Sequence, residues 1–296
     1  MKAFRWAVLL CAATLNLGAS AQETDTLAKA REKGQIVMGV RESSPPLSYS
    51  LGDRFIGYHI ELCERVLREI LPSATIRYMP VSSQNRIALM QNGTIDLECG
   101  STSNTASRQQ QVSFANTTYI TEVRFAVKAS SGITTEAQLA GKTVNTLVGS
   151  AHVARLRKLD KDLGLHLQTV LSKDHAESFL ELESGRVDAL AMDDNILAGN
   201  LASSKTPDAY RIIGKPLSKD PIAIMLRKDD PAFKKAVDDS IKALVRSGDL
   251  AKLYDKWFLK PIPPRNTVIG LPMSESLKIA LLTPNDDPAE AYETKP

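Results

Sequence analysis

Apolar residues recur along this chain in two rhythms, short unbroken runs and helical stripes, and the two alternate. Residues 34–40 form an apolar run that stops at Arg41 and a Ser-Ser-Pro-Pro turn, the pattern of a buried strand. Ile60, Leu62, Val66, Leu67, Ile70 and Leu71 then mark one face of a helix over 60–71. The β-formers of 74–81 predict the next strand, and Ser83 is placed to cap a helix over 84–91 that Asn92-Gly93 stops. Residues 95–99 read as a strand, 114–116 as a loop and 123–127 as a further apolar run. A second series follows: a strand at 143–148, a helix at about 151–163, a strand at 166–171, a helix at 176–184 and a strand at 187–192. The run 222–226 returns the chain to the first series. Helices are expected at 233–245 and 250–257, divided at Ser247-Gly248, and Pro261-Ile-Pro-Pro264 ends the second. The remaining tail is expected to lie as a strap over one half of the molecule, with 285–296 frayed.

The order βαβαβ, met twice, predicts an α/β fold with mostly parallel sheets flanked by helices. A local repeat supports the duplication. The stretch Leu89–Ser101 returns 92 residues later, so that Gly93 matches Gly185, Ile95 matches Val187, Asp96 matches Asp188 and Ser101 matches Asp193. Two like halves imply a cleft between them, where a small molecule would bind. Asp96 and Asp188, occupying equivalent places, read as turn residues of the scaffold rather than as a catalytic pair. Polar residues at the carboxyl ends of the predicted strands are candidates to line the cleft: Arg41, Ser82 and Ser83, Ser101 to Ser103, Ser150, Asp174, His175 and Asp193. The same offset of 92 sets Ser83 opposite His175.

Residues 1–21 stand apart. Lys2 and Arg5 precede a mostly apolar stretch, and Ala19-Ser-Ala21 supplies a small-residue cleavage site, so a cleavable export signal is expected there. Cys11 lacks the small preceding residue that lipidation would need. Loss of Lys2 and Arg5 takes the formal charge from +3 to +1, which gives no electrostatic case for nucleic acid or an anionic membrane as partner. Cys63 and Cys99 remain, in a helical pattern and a strand; a disulfide is permitted in an oxidising compartment, and buried free thiols are an equal reading. No Cys-His spacing of the zinc type occurs, so neither a metal nor a cofactor is expected.

Gly39-Val-Arg-Glu-Ser-Ser44, Ser83-Gln-Asn-Arg-Ile87, Glu98-Cys-Gly-Ser-Thr102, Lys173-Asp-His175, Met192-Asp-Asp194 and Asp255-Lys-Trp-Phe258, in this order across the mature chain, carry a resemblance. The chain resembles the periplasmic solute-binding proteins of ABC importers for polar amino acids, in particular those for glutamate and aspartate. The resemblance implies a type II two-lobed fold joined by a two-strand hinge near Val127 and Ile222, with 22–127 and 222–296 as lobe 1 and 128–221 as lobe 2. It also implies a monomer that closes on L-glutamate or L-aspartate in the periplasm and presents it to a membrane permease.

Carried over by position, Arg108 would hold the ligand α-carboxylate with Ser103 and the Ser150 loop. Asp193 and Ser101 would take the ammonium, and Arg41, Ser83, Arg86 and His175 the side-chain carboxylate. Three arginines against one aspartate favour an anionic ligand, since a guanidinium fork suits a carboxylate. The chain departs from the family pattern at Ala151, where a hydroxyl residue is expected. Taken alone, Arg41 and Arg108 read as solvated charges, His175 as a cap or surface residue, and Asp193 as a helix cap. Two other functions remain open on the same scaffold: a small-carboxylic-acid dehydratase, with His175 or Glu98 as acid or base, and an amino-acid sensor.

Overall fold

A computed structural model of the chain describes residues 25–292; the expected export signal at 1–21, with Cys11, lies outside them. Helix α1 (Thr26–Lys33) leads into strand β1 (Gln35–Val40). The Ser-Ser-Pro-Pro segment, expected as a plain turn, instead opens a small antiparallel sheet of β2 (Ser43–Ser44), β3 (Ser48–Leu51) and β4 (Arg54–Ile56). Helix α2 (Tyr58–Ile70), β5 (Thr75–Pro80), α3 (Arg86–Gln91), β6 (Leu97–Glu98), α4 (Ala106–Gln109) and β7 (Ser113–Phe114) follow. Strand β8 (Tyr119–Lys128) is longer than its apolar stretch, because buried Thr121 alternates with partly exposed Glu122 and Arg124.

The second series is β9 (Thr143–Leu147), α5 (His152–Leu163), β10 (Gln168–Ser172), α6 (His175–Ser184), β11 (Ala189–Asp193), α7 (Asp194–Ser203) and β12 (Tyr210–Ile222). Strand β13 (Met225–Leu226) and helices α8 (Pro231–Arg246) and α9 (Asp249–Phe258) come next. The tail forms β14 (Pro261–Ile262), β15 (Thr267–Val268) and α10 (Glu275–Leu282). Among the described residues no helix is long and apolar enough to cross a membrane.

Two five-stranded sheets result, in the orders β5-β1-β6-β13-β7 and β10-β9-β11-β8-β12. They are built alike. In the first, β1 pairs in parallel with β5 and β6, while β13 runs antiparallel to β6 and β7. In the second, β9 pairs in parallel with β10 and β11, while β8 runs antiparallel to β11 and β12. The parallel pairing expected from the βαβαβ series holds in the first three strands of each sheet. The antiparallel strands are those by which the chain enters and leaves the second series. Each sheet has an apolar cluster on either face, with Leu62, Val66, Phe233 and Phe258 in one and Phe125, Leu156 and Ala191 in another.

The repeat is scaffold in physical detail. Asp96 Oδ2 accepts from Val37 N at 2.9 Å, and Asp188 Oδ2 accepts from Thr143 N at 2.9 Å. Each carboxylate thus pins the start of the first strand of its own sheet. The two passages between the sheets lie side by side, Ala115 N donating to Ile224 O and Thr118 N to Ile222 O at 2.9 and 3.1 Å.

Cys63 and Cys99, left open by the sequence between a disulfide and free thiols, form a disulfide. One expectation is corrected. The tail is not frayed through residue 292: Asn104 Nδ2 donates to Asp286 O, Thr117 N to Asn285 O and Ala289 N to Asn104 O. These bonds satisfy backbone groups that would otherwise be buried without partners. Residues 293–296 lie outside the described part.

Candidate functional site

The carboxyl ends of the strands of both sheets face one small cavity. Ser83, Arg86, Ser101, Ser103, Ser150, His175 and Asp193, expected from sequence, line it together with Leu147, Ala151 and His152. The two remaining candidates adjoin it. Arg41 is buried and donates from Nη1 to Ser83 Oγ at 3.1 Å. Arg108 is buried and donates to Ser103 O at 2.9 Å and across to Gly149 O at 3.2 Å. Neither is the solvated charge that its local sequence suggests.

Local structure sets these positions. Ser82 and Asn85, not Ser83, make the turn before α3: Ser82 N donates to Asn85 Oδ1 and Asn85 N to Ser82 Oγ. Ser83 is thereby left to accept from Arg41. Thr105 caps α4, accepting from Arg108 N at 3.3 Å. Asp174 caps α6, accepting from Glu177 N at 3.0 Å, which places His175 at the first helical position, buried, rather than as the cap. His175 Nδ1 meets Ser44 Oγ at 2.9 Å, a contact between the β2 turn and the second series. Asp193 ends β11 without capping α7 through its side chain, and its Oδ1 lies 3.1 Å from His152 Nε2. Ser150 Oγ donates to Leu147 O at 2.8 Å and so stiffens its loop. Ala151 precedes α5 without a side-chain cap, and with Ser150 and His152 it brings the start of that helix to the cavity wall.

The charges are tightly gathered and poorly paired. Arg86 Nε and Nη1 are buried with no hydrogen-bond partner among the described residues. Its nearest acid is Glu98, whose Oε1 stands 3.8 Å from Nη1. Burial lowers the pKa of all three guanidiniums, Arg41 to about 10 and Arg108 to about 9, with Arg86 adding repulsion on both. Burial and then the Arg41 charge hold His175 well below the usual imidazole range, so it is neutral near pH 7. A buried cation with unused donors is expensive, and an anion entering the cavity would relieve it.

His152, Ser44 and Glu98 belong to the same cluster and were not among the expected binding residues. His152 follows the Ser150 loop directly, which is the one local sign of its place; its partner Asp193 is far along the chain. Glu98, in the strand expected at 95–99, draws notice from sequence only as an acid or base for the dehydratase reading.

The model for bacterial extracellular solute-binding proteins, family 3, matches residues 36–260. A glutamate/aspartate import solute-binding protein of Escherichia coli is 40% identical over 267 residues, covering 88% of each chain. An L-glutamate/L-aspartate-binding protein of Pseudomonas aeruginosa is 41% identical over 290 residues, covering 95% of this chain and 96% of its own. Among solved structures, an ABC uptake transporter substrate-binding protein of Streptococcus pneumoniae with bound histidine superposes with a TM-score of 0.75 at 24% identity. It covers 80% of this chain and 97% of its own, and its likeness carries the fold alone.

Proposed function

The chain belongs to family 3 of the bacterial extracellular solute-binding proteins, and we propose that it captures L-glutamate or L-aspartate between its two lobes and delivers it to the permease of an ABC importer. The relatives of about 40% identity named for glutamate and aspartate support this choice of ligand. The observation that carries it is Arg86, buried beside the cavity with Nε and Nη1 unused.

Charge arithmetic points the same way. Three guanidiniums stand against the carboxylates of Glu98 and Asp193, leaving one positive charge, which an amino acid of net charge −1 would cancel. In this reading Arg108, Ser103 and the amides at the start of α5 hold the α-carboxylate. The Ser150 hydroxyl already serves Leu147 O, so its loop contributes through backbone, and the hydroxyl missing at Ala151 is not needed for that. Asp193 and Ser101 take the ammonium, with His152 fixing one carboxylate oxygen of Asp193. Arg41, Ser83, Arg86 and neutral His175 take the side-chain carboxylate. Glutamine would leave Arg86 unpaired, which is a repulsive element against it.

The lobes divide, in this reading, where the paired passages run, at residues 115–118 and 222–224. The first of these lies ahead of the boundary drawn at 127 from sequence, because β8 belongs wholly to the second sheet. Rotation about this pair opens the cleft and closes it on the ligand. We place the mature protein in the periplasm as a monomer, exported by a signal at residues 1–21. Capture rather than turnover is favoured because Glu98 lies behind Arg86, its Oε2 accepting from Thr102 Oγ1, and does not line the cavity.

Calorimetry on the mature protein tests the proposal. L-Glutamate or L-aspartate is expected to bind one to one at micromolar concentration or below, and Arg86→Ala to weaken both far more than it weakens glutamine. Absence of heat with either dicarboxylate would overturn the assignment; equal losses for glutamine would remove Arg86 from side-chain recognition.

A further inference from the structure

Glu98 ends β6 fully buried, yet the cavity wall does not include it. Its Oε2 accepts from Thr102 Oγ1 at 2.6 Å, and its Oε1 has no hydrogen-bond partner among the described residues. A Cβ at position 100 would lie 2.1 Å from Glu98 Oε1 and 2.7 Å from Arg41 Cγ. Glycine there is what lets the carboxylate and the Arg41 stem share this space. The charge of Glu98 acts on Arg41, Arg86 and Arg108 alike, opposing at each the effect of burial, and no other acid acts more strongly on any of them.

We propose that Glu98 is a specificity-determining residue that does not touch the ligand: from beside the three arginines it offsets one of their charges and so holds the cavity to a singly charged amino acid against more highly charged anions. This rests on the reading that the cavity takes glutamate or aspartate. One arginine fewer and no Glu98 would give the same net charge, but it would remove a guanidinium fork from one of the two carboxylates. Three forks with one charge offset keep the donors and limit the attraction. They also keep the empty cavity from drawing in any small inorganic anion. Glu98 repels every negative charge that enters, so its neutralisation should strengthen binding in proportion to ligand charge. At separations of several ångströms and an effective dielectric constant of about 20, the gain is roughly ten- to fiftyfold per ligand charge.

The test compares wild type, Glu98→Gln and Glu98→Asp, titrated with L-glutamate and, by displacement, with L-glutamine. Gln keeps the size and the Thr102 bond but loses the charge; Asp keeps the charge but shortens the reach. The ratio of glutamate to glutamine affinity is expected to rise at least tenfold in Glu98→Gln and to stay within about threefold of wild type in Glu98→Asp. Sulfate is expected to compete with glutamate in Glu98→Gln at concentrations that leave wild type unaffected. An unchanged or lower ratio in Glu98→Gln, or an equal change in both variants, would overturn the proposal and leave Glu98 as packing. Should Glu98→Gln not fold, Arg86→Gln in the same background removes the matching cation. Recovery of folded protein then supports the counter-charge, and no recovery overturns it. Failure of wild type to bind glutamate at all would instead sink the functional reading.

Discussion

Arg86 and Asp194 both carry charge into the interior, and each makes the structure less stable than it could be. Arg86 is buried with Nε and Nη1 unpartnered among the described residues. Asp194, at the start of α7, is largely buried, and burial together with the neighbouring Asp193 raises its carboxyl to about 6 despite the bond from Thr121 Oγ1 at 2.8 Å. A raised carboxyl binds its proton more tightly in the folded chain. The stability it contributes is therefore whole below its ordinary value of 3.8 and is lost as pH rises through about 6. Asp194→Asn is expected to melt higher than wild type at pH 7.5, by an amount on the order of 1–3 kcal/mol, with the difference shrinking toward pH 4. Thermal melts across that range check it, and a difference independent of pH would refute the assignment. The sequence placed Arg41 at a strand end facing the cleft but made Arg108 a candidate only through resemblance, and it showed the burial of neither, because burial of a strand-end or loop arginine is decided by what packs over it. His152 stayed hidden for the same reason, its partner Asp193 being forty-one positions away.

At the scale of elements, the Cys63–Cys99 disulfide ties the inner face of α2 to the end of β6, next to Glu98, Gly100 and Ser101. A closed loop of 36-residue separation should stabilise the fold by about 3–4 kcal/mol on the chain-entropy account. Replacing both cysteines by alanine is expected to lower the melting temperature by roughly 10 °C, read by calorimetric melting beside a thiol assay on wild type. A melting temperature unchanged by the replacement or by reductant would refute that role. Periodicity revealed α2, α8 and α9 within a few residues, since each buries one face and exposes the other. It missed α7, which packs against β8, β11, β12 and β15 together and so shows no single stripe. The β2–β4 sheet escaped because its strands are short and Ser-rich, and the pairing of two cysteines thirty-six positions apart has no local signature.

For the whole molecule, the contacts that join the two series decide whether the cleft shuts. Gly149 packs against the backbone of residues 83 and 84, where an added Cβ would lie 2.8 Å from Gln84 Cα and 2.9 Å from Ser83 O. Backbone cannot give way as a side chain does. Gly149 also has φ of +74°, which costs an L-residue about 1–2 kcal/mol. Gly149→Ala is expected to weaken glutamate binding at least tenfold and to keep the small-angle scattering profile of the open form when ligand is present. Closure indistinguishable from wild type would refute this account of the interface. The duplicated plan was legible from the spacing of Gly93 and Gly185 and of Asp96 and Asp188. The depth of β8 in the second sheet was not, because a crossing strand looks the same whichever sheet it joins.

Whether an anionic amino acid binds among the arginines between the lobes is decided by a crystal structure of the mature protein with L-glutamate. The α-carboxylate is expected on Arg108 and the start of α5, the ammonium on Asp193, and the side-chain carboxylate on Arg86 and Arg41, with Glu98 out of contact. Glutamate bound elsewhere, or lying in the cavity with Arg86 still unpaired, would contradict this placement.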